Sequence, residues 1–307
     1  MLTSFFGKST PVNIIAVVIF MTTFFVLANF QEWFSGFQLL PFFEKLAVLL
    51  CFVLSVLVLN FIAKKNELTK RSAYKILLFA IFSSSFFALL QNDQAIIANL
   101  FVLLAFRRII SLKSRKVVQQ KIFDATFWIC IASLYYFWCI LFLAVVFVGI
   151  IFYASYVKNL LIPIIAFLAV LSLTECLHLL VYDNLYTFSD WFQPVNLNFS
   201  HYQELALLVP SSIILALFLW TLISYLSVVQ QASITRRPVL NLVLFSMAVA
   251  ICVAVLSHQK DGSEFIFFFV PLSIIASNYF DSRKDRIFKE VLLVLLILMP
   301  LAVPFLD

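Results

Sequence analysis

The sequence predicts an all-α fold: a polytopic transmembrane helical bundle of about eleven spans, N-terminus inside and C-terminus outside, as a single domain over residues 1–307. Three observations carry this reading. Hydrophobic residues are 64% of the chain and charged residues 12%, against about 45–50% and about 25% in soluble domains. Apolar runs of span length recur from end to end. Lysine and arginine crowd into alternate loops and leave the others nearly empty. No loop is long enough to fold a soluble core of its own.

The first apolar run, 12–30, follows Lys8. It is longer than the about 7–15 apolar residues of a secretory signal, so it reads as a retained helix. Runs at 41–63, 74–91 and 95–110 come next. The stretch 122–155 carries one charge, Asp124. As a single helix it would be about 51 Å long, against a hydrocarbon core of about 30 Å. Two short helices breaking near Tyr135, Tyr136 and Trp138 fit better, because aromatic side chains favour the membrane interface. The remaining runs are 159–182, 205–228, 239–257, 264–279 and 290–306.

Charge selects the count. With eleven spans, only Lys45 and Lys260 of the 21 lysines and arginines fall outside. A single crossing at 122–155 would invert everything after it, bringing Lys260 inside but putting Lys158, Arg236, Arg237, Arg283, Lys284, Arg286 and Lys289 outside with Lys45, against the positive-inside rule. The net charge of +6 therefore reflects anchoring to anionic inner-leaflet lipid, not a nucleic-acid partner. The five cysteines lie in apolar runs without close metal-ligand spacing, so they read as small hydrophobes.

Two segments outside the spans stand out. The inner stretch "RRIISLKSRKVVQQK", 107–121, alternates cations with Ile109, Ile110, Leu112, Val117 and Val118, as an amphipathic surface helix does. Arg107, Arg108, Arg115 and Lys116 are its candidates for docking a partner at the inner face. The outer loop from Asp183 to Glu204 carries Tyr186, Phe188, Trp191, Phe192, Phe199 and Tyr202, which suit headgroup depth or a partner surface.

Polar groups inside apolar runs mark the candidate outer cavity. Glu175 and His178 are three residues apart, hence on one helix face. Glu175 lies roughly 10 Å below the span end at Tyr182, where a carboxylate costs about 2.5–3.5 kcal/mol without polar company. The pair reads either as a structural contact between helices or as part of a cavity open to the outside. His201 and Glu204 in "HYQE", Glu264 at the tenth span and Glu32 in "NFQEWFSG" are the other outer candidates. A di-iron bundle would need a second Glu-x-x-His and two more carboxylates, so no metal and no cofactor are assigned.

Five stretches together carry a resemblance: "TSFFGKSTPVN" at 3–13, "IIANLFVLLAFRRIISL" at 96–112, "IFDATFWICIASLYYFW" at 122–138, "RRPVLN" at 236–241 and "FIFFFVPLSIIASNYF" at 265–280. The chain resembles an uncharacterised family of polytopic inner-membrane proteins of flavobacteria and other Bacteroidota. The resemblance implies a multi-pass protein of the bacterial inner (cytoplasmic) membrane with a cell-envelope role, and it supplies no catalytic residue. The function expected first is a non-catalytic inner-membrane subunit of an envelope-assembly or export complex, with a protein partner in the membrane. The alternative is an enzyme resembling polyprenyl-phosphate-dependent glycosyltransferases or polymerases, taking a polyprenyl lipid at the outer face near Glu32. A small-solute transporter ranks third, because four glycines and no convincing internal repeat argue against interrupted-helix sites.

Overall fold

A computed structural model describes residues 2–34, 39–282 and 286–305. Every regular element among them is helical: α1 Leu2–Phe6, α2 Pro11–Ala28, α3 Phe30–Phe34, α4 Leu39–Lys65, α5 Tyr74–Ser84, α6 Phe87–Gln91, α7 Asp93–Ser111, α8 Val118–Tyr135, α9 Leu143–Tyr153, α10 Val157–Tyr182, α11 Phe188–Trp191, α12 Leu205–Gln231, α13 Arg237–Leu256, α14 Ile266–Phe280 and α15 Arg286–Ala302. Eight segments are long and apolar enough to cross a membrane. They are Pro11–Ala28, Leu39–Lys65, Asp93–Ser114, Val157–Tyr182, Leu205–Gln231, Arg237–Leu256, Ser263–Phe280 and Ile287–Phe305.

The core is built on α5 and α14. All eleven residues of α5 are buried, as are all of α14 except Asn278. A helix apolar on every face belongs in the interior, and these two pack together. Phe82 meets Phe269 with ring centroids 5.7 Å apart, and Tyr74 meets Phe280 at 5.6 Å. By contrast α10 buries 17% of its apolar window, leaving most of its surface to lipid.

Two breaks shape the interior. The run 74–91 is not one helix: α5 ends in the serine triplet 83–85, and Phe86 is extended before α6. Ser83 and Ser85 donate to the carbonyls of Phe79 and Ile81, the local bonding by which serine competes with a helix. The stretch 122–155 divides where expected. Tyr136 is extended between α8 and a 3-10 turn, Phe137–Phe142, that leads into α9.

The expected amphipathic helix over 107–121 is corrected. Residues 107–111 finish α7, Leu112–Ser114 form a 3-10 turn, and α8 takes over at Val118. Ile109, Ile110 and Leu112 are buried in the bundle, so their apolar pattern served core packing. Gly149 of α9 makes room for this approach, since a Cβ there would sit 2.7 Å from Ile109 Cγ2.

Polar contacts gather at two rims. At the basic rim, Lys70 N–H donates to Asp281 Oδ2 at 3.0 Å and its Nζ to the Asp281 carbonyl at 3.0 Å. There too Glu290 of α15 accepts from the backbone of Leu2 and Thr3. The loop rim lies at the other end, where Asn29, Lys45, 91–93, Tyr136, 183–204 and 257–264 meet.

Candidate functional site at the loop rim

Glu175 and His178 sit on the last turns of α10, both half-buried. Asp183, at φ 55°, turns the chain back so that residues 184–186 run beside them. The Tyr186 N–H donates to Glu175 Oε2 at 3.1 Å. His178 Nδ1 donates to the Asn184 carbonyl at 2.9 Å, which fixes the tautomer because a carbonyl only accepts. The imidazole packs against Tyr182 at 4.8 Å and Tyr186 at 5.3 Å. Among the described residues no hydrogen bond joins the two side chains; each instead holds the returning loop.

Glu264 is placed by a glycine turn. Gly262 has φ 92°, and a Cβ there would meet Phe86 at 2.9 Å and Leu207 at 3.1 Å, so only glycine fits without strain. Asp261 Oδ1 accepts from Ser263 N at 3.0 Å and Oγ at 2.6 Å, ordering the start of the tenth predicted span. Glu264 is fully buried: the Tyr202 hydroxyl donates to one carboxylate oxygen and Gly262 N–H to the other at 2.9 Å. Burial, and then the Glu264 charge, push the Tyr202 phenol well above its ordinary pKa. Lys260, 3% exposed, donates to the carbonyls of Ala254 and Val255 at 2.6 and 2.8 Å, and lies 5.1 Å from the Phe199 ring. A cation there complements the negative end of α13. Burial draws its pKa down, opposed by Glu264.

His201 on the 3-10 turn Ser200–Gln203 and Glu204 just after it lie either side of Tyr202 in sequence, 3.4 Å apart and mostly exposed. An exposed pair of this kind contributes little. They line a cavity of about 400 Å³ with Gln91, Asp261 and Pro304. Beside it, an apolar cavity of about 410 Å³ is lined by Phe86, Phe199, Tyr202, Phe218, Phe265 and Phe268. Tyr202 lines the second cavity and joins Glu264, while Glu175 and His178 line neither. Glu32 falls in α3, but its side chain is outside the described residues. Among the described residues, no three His, Cys, Asp or Glu side chains gather as a metal ion needs.

Sequence reasoning missed several members of this rim. Lys45 forms an ion pair with Asp93 at 2.8 Å and donates to Asn29 Oδ1 at 3.2 Å. Asn92 donates to Gln259 at 2.6 Å and to Ser263 at 3.0 Å while accepting from Ala95 N–H as the N-cap of α7. One signal was available. Lys45 and Lys260 are the two cations that break the charge pattern, and both are held by specific acceptors.

At the basic rim, Arg107 lies 4.9 Å and Lys65 5.3 Å from the Phe61 ring, and Arg108 pairs with Asp124 at 3.0 Å. Arg115, at φ 52°, and Lys116 are exposed on the turn between α7 and α8. The four inner docking candidates are thus neighbours along one connector, and three of them line a cavity of about 740 Å³; Arg115 lines the adjoining one.

Long apolar helices around an aromatic-rich core, with the polar contacts between elements gathered at two rims, define a membrane protein of the helical class. The chain belongs to a family of unknown function, DUF6427, whose model matches residues 1–305. No curated protein and no solved structure matches it.

Proposed function

We propose that the protein is a non-catalytic subunit of an envelope-assembly or export complex in the inner membrane of Bacteroidota, acting by docking a protein partner. The observation that carries this reading is the use made of the titratable candidates. Glu175, His178 and Glu264 each spend hydrogen bonds on the chain's own 183–204 loop or its neighbouring turn. That work fixes an irregular loop on the bundle and leaves Leu185, Phe192, Val195, Leu197 and Phe199 exposed. An ordered loop presenting apolar side chains suits a protein contact better than chemistry does.

Eleven crossings, with the N-terminus and the basic rim inside, belong to this reading. The breaks at Phe86 and Tyr136 support it, because they let short, core-packed segments fill the places of the third, fifth and sixth predicted spans. The alternative, an enzyme taking a polyprenyl lipid, draws support from the apolar cavity beside Tyr202 and Glu264. Purification from native membranes in mild detergent separates the two. A stoichiometric protein partner supports docking; a bound polyprenyl lipid without a partner supports the enzyme.

A further inference from the structure

The cavity of about 740 Å³ at the basic rim has mainly cations among its charged lining groups. Lys65 of α4, Arg107 and Arg108 of α7, Lys113 and Lys116 of the connector and Lys121 of α8 surround it, with Glu67 the lining carboxylate. Arg108 is already met by Asp124 at 3.0 Å. Lys121 donates to the Ser111 carbonyl at 2.7 Å and to Ser114 Oγ at 2.5 Å, neither of which neutralises it. Among the described residues no ion pair engages Lys65, Arg107, Lys113, Lys116 or Lys121.

A loop serving only to set orientation would spread its cations over the surface. Here the ends of three helices turn them into one concavity, of a volume usual for small-molecule sites. The backbone is bent to do so: Glu67, Arg115 and Val117 all hold left-handed φ, at 54°, 52° and 50°. Such a conformation is costly for a β-branched residue and is found where the surroundings impose it. Val117 is also the N-cap of α8, and its side chain makes no cap hydrogen bond. The first residues of that helix, Val118, Gln119 and Gln120, line the adjoining cavity with Arg115, so the basic cavity rests on its side chains alone.

We propose that this cavity binds a phosphorylated ligand, its phosphoryl oxygens met by Arg107, Lys113 and Lys116. Arginine offers a planar donor fork and lysine a mobile point charge, the combination suited to a phosphate group. The phosphate comes either from an anionic lipid headgroup or from a soluble phosphorylated compound. This deepens the basic-rim part of the docking reading without needing the partner. The test uses purified chain in nanodiscs open on both faces, so a failed partner assay and a failed phosphate assay are distinguishable.

In phosphatidylcholine nanodiscs, titration with inorganic pyrophosphate should give saturable binding that weakens with salt. The double variant Arg107→Gln, Lys113→Gln should weaken it at least tenfold, whereas Lys158→Gln, outside the cavity, should not. Native mass spectrometry after exchange into phosphatidylglycerol tests the lipid arm. Retention of phosphatidylglycerol by the wild type but not by the double variant, with no pyrophosphate binding, identifies a headgroup site. Pyrophosphate binding alone identifies a soluble ligand. Unchanged helix content and elution of the variant exclude misfolding, and a single replacement, Lys116→Gln, supplies a milder check. Binding of neither ligand, or equal binding by wild type and both variants, overturns the proposal.

Discussion

The bond between the Tyr202 hydroxyl and Glu264 should be the main anchor of the 183–204 loop, and a double-mutant cycle can weigh it. Glu264 is fully buried and accepts from Tyr202 on one oxygen and Gly262 N–H on the other. Tyr202→Phe removes one hydrogen bond to a charged group, a loss of about 1.5–3 kcal/mol. Glu264→Leu strands both donors, each at about 1–3 kcal/mol, for a total of about 2–6 kcal/mol. Once the carboxylate is gone the phenol has no partner, so adding Tyr202→Phe should cost nothing more and should relieve the stranded hydroxyl. The two effects should therefore fall short of additivity by about 2.5–6 kcal/mol, the lost bond plus the relieved hydroxyl. Denaturant unfolding in mild detergent, followed by tryptophan fluorescence, measures all four corners. Additivity within about 0.5 kcal/mol would show that the two side chains do not stabilise each other.

At the end of α10, Glu175→Gln keeps an acceptor for the Tyr186 N–H and should be nearly silent in stability and function. Glu175→Leu removes it and should cost about 0.6 kcal/mol, the mean interhelical polar contribution; loss of function in the glutamine variant at normal stability would instead mark a working carboxylate. A reporter active only outside the membrane should be on at Asp190 and off at Lys116 and Arg236, and activity at Arg236 would mean that 122–155 crosses once. Replacing Arg107, Arg108, Arg115 and Lys116 together by glutamine should weaken partner capture with the fold intact; unchanged capture and unchanged orientation would make the connector a solvated turn.

The membrane class and most element positions were legible in the sequence because apolar run length is a strong signal. The break at Tyr136 was legible for the same reason: one helix would have been too long. The break at Phe86 was not, since the apolar run continues through it and only the serines hint at a local alternative to the helix. The 107–121 segment misled because periodic isoleucines mean burial, and sequence does not say whether protein or lipid buries them; Ile109 and Ile110 answer to α9 and the core. For the candidate site, the Glu175 and His178 spacing gave their shared helix end, but the partner groups are backbone atoms of a loop. Backbone partners leave no trace in residue type. Tyr202, likewise, reads as one more interfacial aromatic until the turn at Gly262 sets Glu264 beside it.

The docking role is tested most directly by photo-crosslinking in living cells from the exposed loop. A photoreactive phenylalanine analogue at Phe192 or Phe199, both half-exposed on the 183–204 segment, replaces an aromatic with another of similar size. One discrete higher-mass adduct containing a second protein is expected from these positions and not from Leu177, exposed on α10. Adducts to lipid alone from the loop positions, or the same pattern from Leu177, would contradict the docking role.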